Sequence, residues 1–295
     1  MILDGGLATQ LEAQGCDLGN ALWSASLLQS NPEAIVTATR AYLDVGAECV
    51  ATASYQASRE GFATWGMSAN EADDMMRLSV ALARRARDEY RGDNPGLEFV
   101  PLVAASIGPY GAMLHDGSEY SGSYGVTAET LRAFHALRLD LFDRSGADVL
   151  ALETIPSRLE ADVLAELLVG CKTPAWISFS CRDGAHVVDG TPLEVVAAKF
   201  AGHPTVVAVG VNCTPPQYVP ELVGRLREAL PDKAIMAYPN SGEIYHAADN
   251  SWSGTVTPGD CAEAALAWVA AGADIVGGCC RMGPAHIQAI RNALR

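Results

Sequence analysis

The sequence predicts an α/β fold, a single (β/α)8 barrel of the TIM type over residues 1–295, and three observations carry that prediction. Eight short apolar runs alternate with segments of helical spacing. A five-residue pattern recurs at three of the junctions. The length of 295 residues suits a barrel that commonly runs to about 250 residues as one unit. The recurring pattern is Gly46-Ala47-Glu48-Cys49-Val50, Gly146-Ala147-Asp148-Val149-Leu150 and Gly272-Ala273-Asp274-Ile275-Val276. In each, a helix-like segment ends on a glycine able to take the left-handed cap conformation. An acidic residue follows, and then the apolar run of a strand buried on both faces.

Taken in order, the strands are expected near 1–4, 49–54, 99–106, 148–153, 174–180, 206–212, 233–238 and 273–278. Between them stand helix-start signals. Asn31-Pro32 offers an N-cap followed by proline at the first helical position, and Thr191-Pro192-Leu193-Glu194 and Ser157-Arg158-Leu159-Glu160 read as capping boxes. Thr214-Pro215, Thr257-Pro258 and Gly283-Pro284 mark further starts. A doubly wound open sheet is the competing fold, but no Gly-x-Gly-x-x-Gly loop follows the early strands. The longest irregular stretches, about 107–126 and 239–256, both follow strands, where a barrel keeps its functional loops.

Composition narrows the function. Hydrophobic residues are 49% and charged residues 19% of the chain, which excludes a disordered segment. A formal net charge of −15 repels a phosphate backbone and anionic lipid, so neither nucleic acid nor membrane is expected as partner. The start Met-Ile-Leu-Asp-Gly-Gly lacks the basic and apolar segments of a secretory signal, and the eight cysteines read as thiols of a cytoplasmic protein.

Barrel chemistry sits at the C-terminal ends of the strands. There the sequence places Asp4-Gly5-Gly6, Ser54-Tyr55-Gln56, Ser106, Glu153-Thr154, Ser180-Cys181, Asn212-Cys213, Tyr238-Pro239-Asn240 and Gly277-Gly278-Cys279-Cys280. Cys213, Cys279 and Cys280 thus converge on one mouth from two strands separated by one other. Adjacent cysteines in a regular strand point to opposite faces, and Gly277 and Gly278 give the backbone freedom to leave the strand. Three thiols at a mouth suit Zn2+, which favours tetrahedral sulfur coordination with one open position. The bare spacing leaves core or redox-thiol roles open for all three. Cys16, Cys49, Cys171 and Cys261 read as small buried hydrophobes, and Cys181 ends a strand. No His-Glu-x-x-His occurs, and Lys172 and Lys199 stand away from strand ends, against a histidine metallohydrolase or a Schiff-base aldolase.

Leu3-Asp4-Gly5-Gly6, Leu152-Glu153-Thr154, Val211-Asn212-Cys213, Tyr238-Pro239-Asn240 and Gly277-Gly278-Cys279-Cys280 together resemble the homocysteine S-methyltransferase family, over nearly the whole chain. The resemblance implies a zinc-dependent methyltransferase of the EC 2.1.1 class that makes methionine from homocysteine, with Cys213, Cys279 and Cys280 as the zinc ligands. It also implies that Asp4 and Glu153 hold the ammonium of homocysteine, while backbone N–H groups near Gly5 and Gly6 take its carboxylate. Asn212 and Asn240 are expected to shape the loops and contact substrate, and Tyr55 and the loop aromatics to offer an aromatic face to a cationic donor. The chain ends shortly after Cys280, whereas the betaine-using branch carries a C-terminal extension and the cobalamin-dependent enzymes carry further domains. The implied donor is therefore a small sulfonium, S-methylmethionine ahead of S-adenosylmethionine. A betaine- or other-donor methyltransferase, or a non-catalytic zinc- or thiol-binding protein, stands as the alternative.

Overall fold

In the computed structural model, which describes residues 1–20, 22–246, 251–254 and 256–295, seven strands form one parallel sheet. In chain order the strands are β1 (Cys49–Ala51), β2 (Leu102–Ile107), β3 (Val149–Ile155), β4 (Ala175–Phe179), β5 (Val206–Asn212) and β6 (Ala234–Tyr238), then β7 (Ile244–His246), β8 (Ser251–Ser253) and β9 (Ile275–Val276). The sheet order is β1-β2-β3-β4-β5-β6-β9, and β7 and β8 pair separately as an antiparallel hairpin. The predicted first strand is present only as single bridges, Ile2 to Val276 and Leu3 to Cys49, both parallel. Its backbone bonds reach both sheet edges, Leu3 N–H to the Val276 carbonyl at 2.8 Å and Asp4 N–H to the Cys49 carbonyl at 3.0 Å.

Helices follow the strands, as the alternating pattern requires: Pro32–Asp44, Ala69–Asp93, Ala128–Asp143, Arg158–Leu168, Leu193–Ala197, Val219–Ala229, Pro258–Ala270 and Pro284–Leu294. Asn31 caps the first of these through Ala34 N–H at 3.3 Å, and Thr257 with Asp260 forms a complete capping box. Three predicted starts differ. Pro192, not Thr191, precedes Leu193–Ala197, because Thr191 N–H is held in a turn by Asp189. The Thr214 hydroxyl accepts Cys181 N–H at 2.9 Å, and a 3₁₀ turn, Pro216–Tyr218, intervenes before the helix. Ser157 does cap Glu160 N–H, but the Glu160 carboxylate turns away into a neighbouring loop instead of back onto Ser157.

The recurring pentapeptide has one physical meaning in all three places. Gly46, Gly146 and Gly272 take φ of +94°, +82° and +114°, the left-handed region where glycine carries no steric penalty. The acid two residues on then clasps the start of the preceding strand with both its groups. Glu48, Asp148 and Asp274 each donate a backbone N–H to the carbonyl of Ile2, Val103 and Ile235, and each carboxylate accepts the N–H of that same residue. Every one of these acids also meets an arginine: Arg295, Arg87 and Arg227. The clasp fixes register at the N-terminal end of the sheet.

Packing completes the arrangement. A small inner cluster of Leu3, Cys49, Ala104, Ala151, Trp176, Ala208 and Met236 lies on one face of the strands, the alanines making room for Trp176. The larger cluster, with Tyr42, Phe142, Phe179 and Phe200, lies between sheet and helices. Cys49, Cys181 and Cys261 are buried, and Cys16 and Cys171 half-buried, all as free thiols. The clasp gives a first test: Asp148→Ala strands the buried Val103 N–H and the mostly buried Arg87, and stability is expected to fall by about 1–3 kcal/mol. Urea unfolding checks it, with the midpoint lowered and the slope unchanged.

Candidate functional site

The C-terminal ends of the strands line a cavity that holds two carboxylates. Asp4, just past the first paired segment, is buried and accepts Ala51 N–H at 2.7 Å. Glu153 on β3 accepts the hydroxyl of Ser106 from β2, and that of Tyr238 from β6 at 3.2 Å. Burial pushes Asp4 up to about 8, with the charges of Glu153 and Cys279 adding to the rise. Burial likewise pushes Glu153 up to about 7, against the lowering effect of its Ser106 bond. The site therefore strains to hold two negative charges until a cation arrives.

The same cavity is walled by three half-buried thiols. The sulfurs of Cys213, Cys279 and Cys280 all lie within 4.8 Å of one another, and those of Cys213 and Cys280 are 3.7 Å apart. Sulfurs at two corners of a tetrahedron around an ion at about 2.3 Å stand about 3.8 Å apart. The donor set thus fits a tetrahedral thiolate site with one vertex left over. Protonation follows the crowding: Cys280, accepting from both neighbours, is held well below the ordinary thiol range, while Cys213 and Cys279 are pushed well above it.

Convergence is bought by backbone geometry. β5 and β9 lie on either side of β6, so strands at about 4.8 Å spacing leave the cysteine backbones about 10 Å apart. Cys213 bends out of β5 at φ +45°, and Arg281, following the pair, takes φ +66°. The Cys279 N–H and the Cys280 carbonyl bond across to the loop after β6, to the Pro239 carbonyl at 2.8 Å and Ser241 N–H at 3.1 Å. Gly277 and Gly278 contribute close approach and no positive φ: a Cβ would stand 2.6 Å from Leu3 Cβ at Gly277 and 2.6 Å from Met282 Cβ at Gly278.

Asn212 ties this geometry together. Its Oδ1 accepts Thr154 N–H at 2.7 Å and the Ser178 hydroxyl at 2.8 Å, and its Nδ2 donates to Thr154 Oγ1 at 2.8 Å. Thr154 sits at φ +63°, costly for a β-branched residue. Asn212 holds that strained residue with one side chain, while its own backbone leads directly into Cys213.

Of the residues singled out in the sequence, Asp4, Gly5, Tyr55, Glu153, Asn212 and the three cysteines line this one cavity. Asn240 does not. It lines an adjoining cavity that also touches Cys213 and Cys280, and its Oδ1 accepts Gly242 N–H at 3.2 Å, a loop-shaping turn. The Gly6 N–H expected to be open to substrate is bonded to the Met282 carbonyl at 2.9 Å. Sequence reading gave no role to Ser106, Thr154 and Tyr238, although each stands at a strand end where such residues are found. Tyr120, one of the aromatics of the 107–126 loop, lines the cavity as well, and Trp23, from the 3₁₀ turn Trp23–Ser26, was given no role by its sequence position.

The family model described as homocysteine S-methyltransferase matches residues 1–294. The chain belongs to the homocysteine S-methyltransferase family. Homocysteine S-methyltransferase YbgG of Bacillus subtilis is 44% identical over 98% of this chain and 93% of its own length. The homocysteine S-methyltransferase of Escherichia coli is 45% identical over 99% of this chain and 94% of its own. Among solved structures, the metallated form of the homocysteine methyltransferase MmuM from Escherichia coli aligns with a TM-score of 0.89 at 42% identity, covering 99% of this chain and 95% of that one. The protein is accordingly an enzyme of the EC 2.1.1 class, a homocysteine S-methyltransferase. Among the described residues, no helix is long and apolar enough to cross a membrane.

The Asn212 clasp is open to test. Asn212→Ala leaves Thr154 N–H and the Ser178 hydroxyl without this acceptor in a buried place, and a stability loss of about 1–3 kcal/mol is expected. Thermal unfolding measures it, and Asn212→Asp, which keeps the acceptor, should lose less.

Proposed function

We propose that this enzyme is zinc-dependent and moves a methyl group from a small sulfonium, S-methylmethionine in preference to S-adenosylmethionine, to homocysteine, as a single (β/α)8 barrel domain in the cytoplasm. One observation carries the reading: three sulfurs within 4.8 Å of one another in the cavity that also holds the carboxylates of Asp4 and Glu153. Soft thiolates select zinc over magnesium or calcium, and Cys213, Cys279 and Cys280 would hold it. Bound there, Zn2+ offers its fourth position to a thiol and keeps it ionised at neutral pH, where a free thiol of pKa about 8.5 is only a few per cent thiolate.

The chain's own groups do the rest. Asp4 and Glu153 take the homocysteine ammonium, a cation that offsets the cost of burial raising both acids. Gly5 borders the space for the substrate carboxylate, with Gly6 N–H already committed to Met282. Asn212 keeps Thr154 and the start of Cys213 in place, and Asn240 shapes the loop behind. Tyr55 turns an aromatic face to the cationic donor. The homocysteine sulfur forms the new S–CH3 bond as the donor's own S–CH3 bond breaks, its electron pair staying on the donor sulfur, which leaves neutral. The thiol proton passes to solvent.

Metal analysis and turnover test the reading together. Cys213→Ser and Cys280→Ser are expected to lose bound zinc and to cut kcat/KM by roughly 100-fold or more while the far-ultraviolet circular dichroism stays unchanged. A metal-free protein with full turnover would sink the ligand assignment. A panel of S-methylmethionine, S-adenosylmethionine and betaine against homocysteine decides the donor.

The raised carboxylates add a pH prediction. Each takes an ammonium only when ionised, and ionisation rises through about 7 for Glu153 and about 8 for Asp4. Homocysteine KM is therefore expected to fall as pH rises from 6 to 8. Glu153→Gln should raise that KM roughly 10- to 100-fold at pH 8, the span of a hydrogen bond to a charged group, and flatten the slope. A KM that is flat with pH in the wild type refutes the assignment.

A further inference from the structure

One buried ionisable cluster lies outside the carboxylates and thiols just described. Helix Arg158–Leu168 carries Glu160, and helix Ala128–Asp143 carries His135 and Arg138, all three buried. The Glu160 carboxylate accepts Tyr110 N–H at 2.6 Å, the His135 ring at 2.7 Å and the Tyr124 hydroxyl at 2.9 Å. Burial holds His135 below its ordinary range, so the ring is neutral and donates through Nε2. Arg138 donates to the carbonyls of Gly108 at 2.8 Å and Tyr55 at 3.0 Å.

These bonds close on one segment. Tyr110 and Tyr124 bracket the loop after β2, which folds as the helix Tyr110–Leu114 and the turn Ser118–Tyr120. The loop is packed on itself, since a Cβ on Gly111 would stand 2.5 Å from both the Glu119 nitrogen and the Tyr124 ring. Between its two pinned ends stands Tyr120, 46% exposed, which lines both cavities that open on Cys213 and Cys280. Trp23 and Tyr55 line the first cavity with it.

We propose that Tyr120 is a wall of the methyl donor's site and that Glu160 is the residue that positions it, by fixing both ends of the loop 108–124. The proposal rests on the reading that the donor is a sulfonium. An aromatic face beside the three cysteines suits a cationic sulfur, and here it is held from a rigid element behind. Burying a carboxylate is costly and an apolar side chain packs as well. In this cluster His135 Nδ1 and Arg138 Nε have no hydrogen-bond partner among the described residues. The return on that cost is the set place of one loop at the cavity mouth.

The test uses the zinc-loaded enzyme with homocysteine and S-methylmethionine. Tyr120→Ala is expected to raise the S-methylmethionine KM roughly 3- to 30-fold, the span of a cation–π contact, without moving the homocysteine KM. Tyr120→Phe should fall between it and the wild type. Glu160→Gln should speed hydrogen exchange across 108–124 and raise the donor KM alone, and the double variant should be no worse than Tyr120→Ala, because both act through one side chain. Tyr124→Phe removes one donor to Glu160 and gives the same pattern more mildly, which keeps the test decisive if Glu160→Gln does not fold. An unmoved donor KM in Tyr120→Ala, both KM values shifting together in Glu160→Gln, or additive effects in the double variant overturns the proposal. Wild-type enzyme that turns over no sulfonium defeats the functional reading itself; active wild type with Tyr120→Ala unaffected defeats this inference alone.

Discussion

Strand spacing is the constraint on which this site depends. Parallel strands place all their C-terminal ends on one side, but they hold neighbouring backbones about 4.8 Å apart, and β6 stands between the two strands that carry the thiols. Sulfurs from β5 and from the turn after β9 meet only if both backbones lean over β6. The chain does this with a left-handed residue at Cys213, another at Arg281, and two glycines that let the Cys279–Cys280 turn press against Leu3, Asp4 and Met282. Asp4 is drawn into the same contact: its carbonyl accepts Gly278 N–H at 3.0 Å. The carboxylate and thiol halves of the site are thus joined by backbone before any ligand is present.

Such a site is expensive, and the cost is spread through polar contacts of the strand ends. Thr154, Cys213 and Arg281 sit in conformations that non-glycine residues avoid, and the buried Asp4 lies close enough to the half-buried Glu153 to be repelled by it. Asn212, Ser178, Tyr238 and Ser106 form the network that bears this, with the Trp176 indole N–H donating to Tyr238 at 3.2 Å from below. Stability comes from the opposite end of the sheet, where the clasps of Glu48, Asp148 and Asp274 lock the strand starts. Strain at one end is tolerable because register is fixed at the other.

This division also explains what was legible in the sequence. The clasp residues and cap glycines repeat as a motif because each solves the same local problem, so strand positions and helix alternation could be read directly. The three cysteines and Glu153 were legible because strand ends converge in a parallel sheet. Local rules failed where a side chain had a longer-range partner. Ser157-x-x-Glu160 has the pattern of a capping box, yet Glu160 answers to Tyr110, Tyr124 and His135, none of them near in sequence. Thr214 likewise serves Cys181, just past the end of the neighbouring strand. Tyr120 was legible only as one of the loop aromatics, because the short turn Ser118–Tyr120 repeats no helical or strand period. The first strand was legible by composition, but its pairing is one residue deep on each side, too short to form a regular ladder.

Charge balance supplies the last step. The cavity confines two carboxylates and three thiols in one small space, where Asp4, Glu153, Cys213 and Cys279 are all pushed up and only Cys280, bonded to both neighbouring thiols, is lowered. Each expected occupant is a cation or carries one: a divalent ion among the sulfurs, an ammonium on Asp4 and Glu153, a sulfonium at the aromatic mouth. Each neutralises charge the fold has concentrated, so binding gains from relief of repulsion as well as from direct contact. With the proposed sulfonium donor, transfer of the methyl group would then remove the positive charge from the donor sulfur. The departing thioether no longer has the cationic hold that drew its parent to the aromatic face, and the contact that favours the donor's arrival disappears in its product. A site built this way binds its donor and releases the spent one by the same interaction, switched off by the reaction itself.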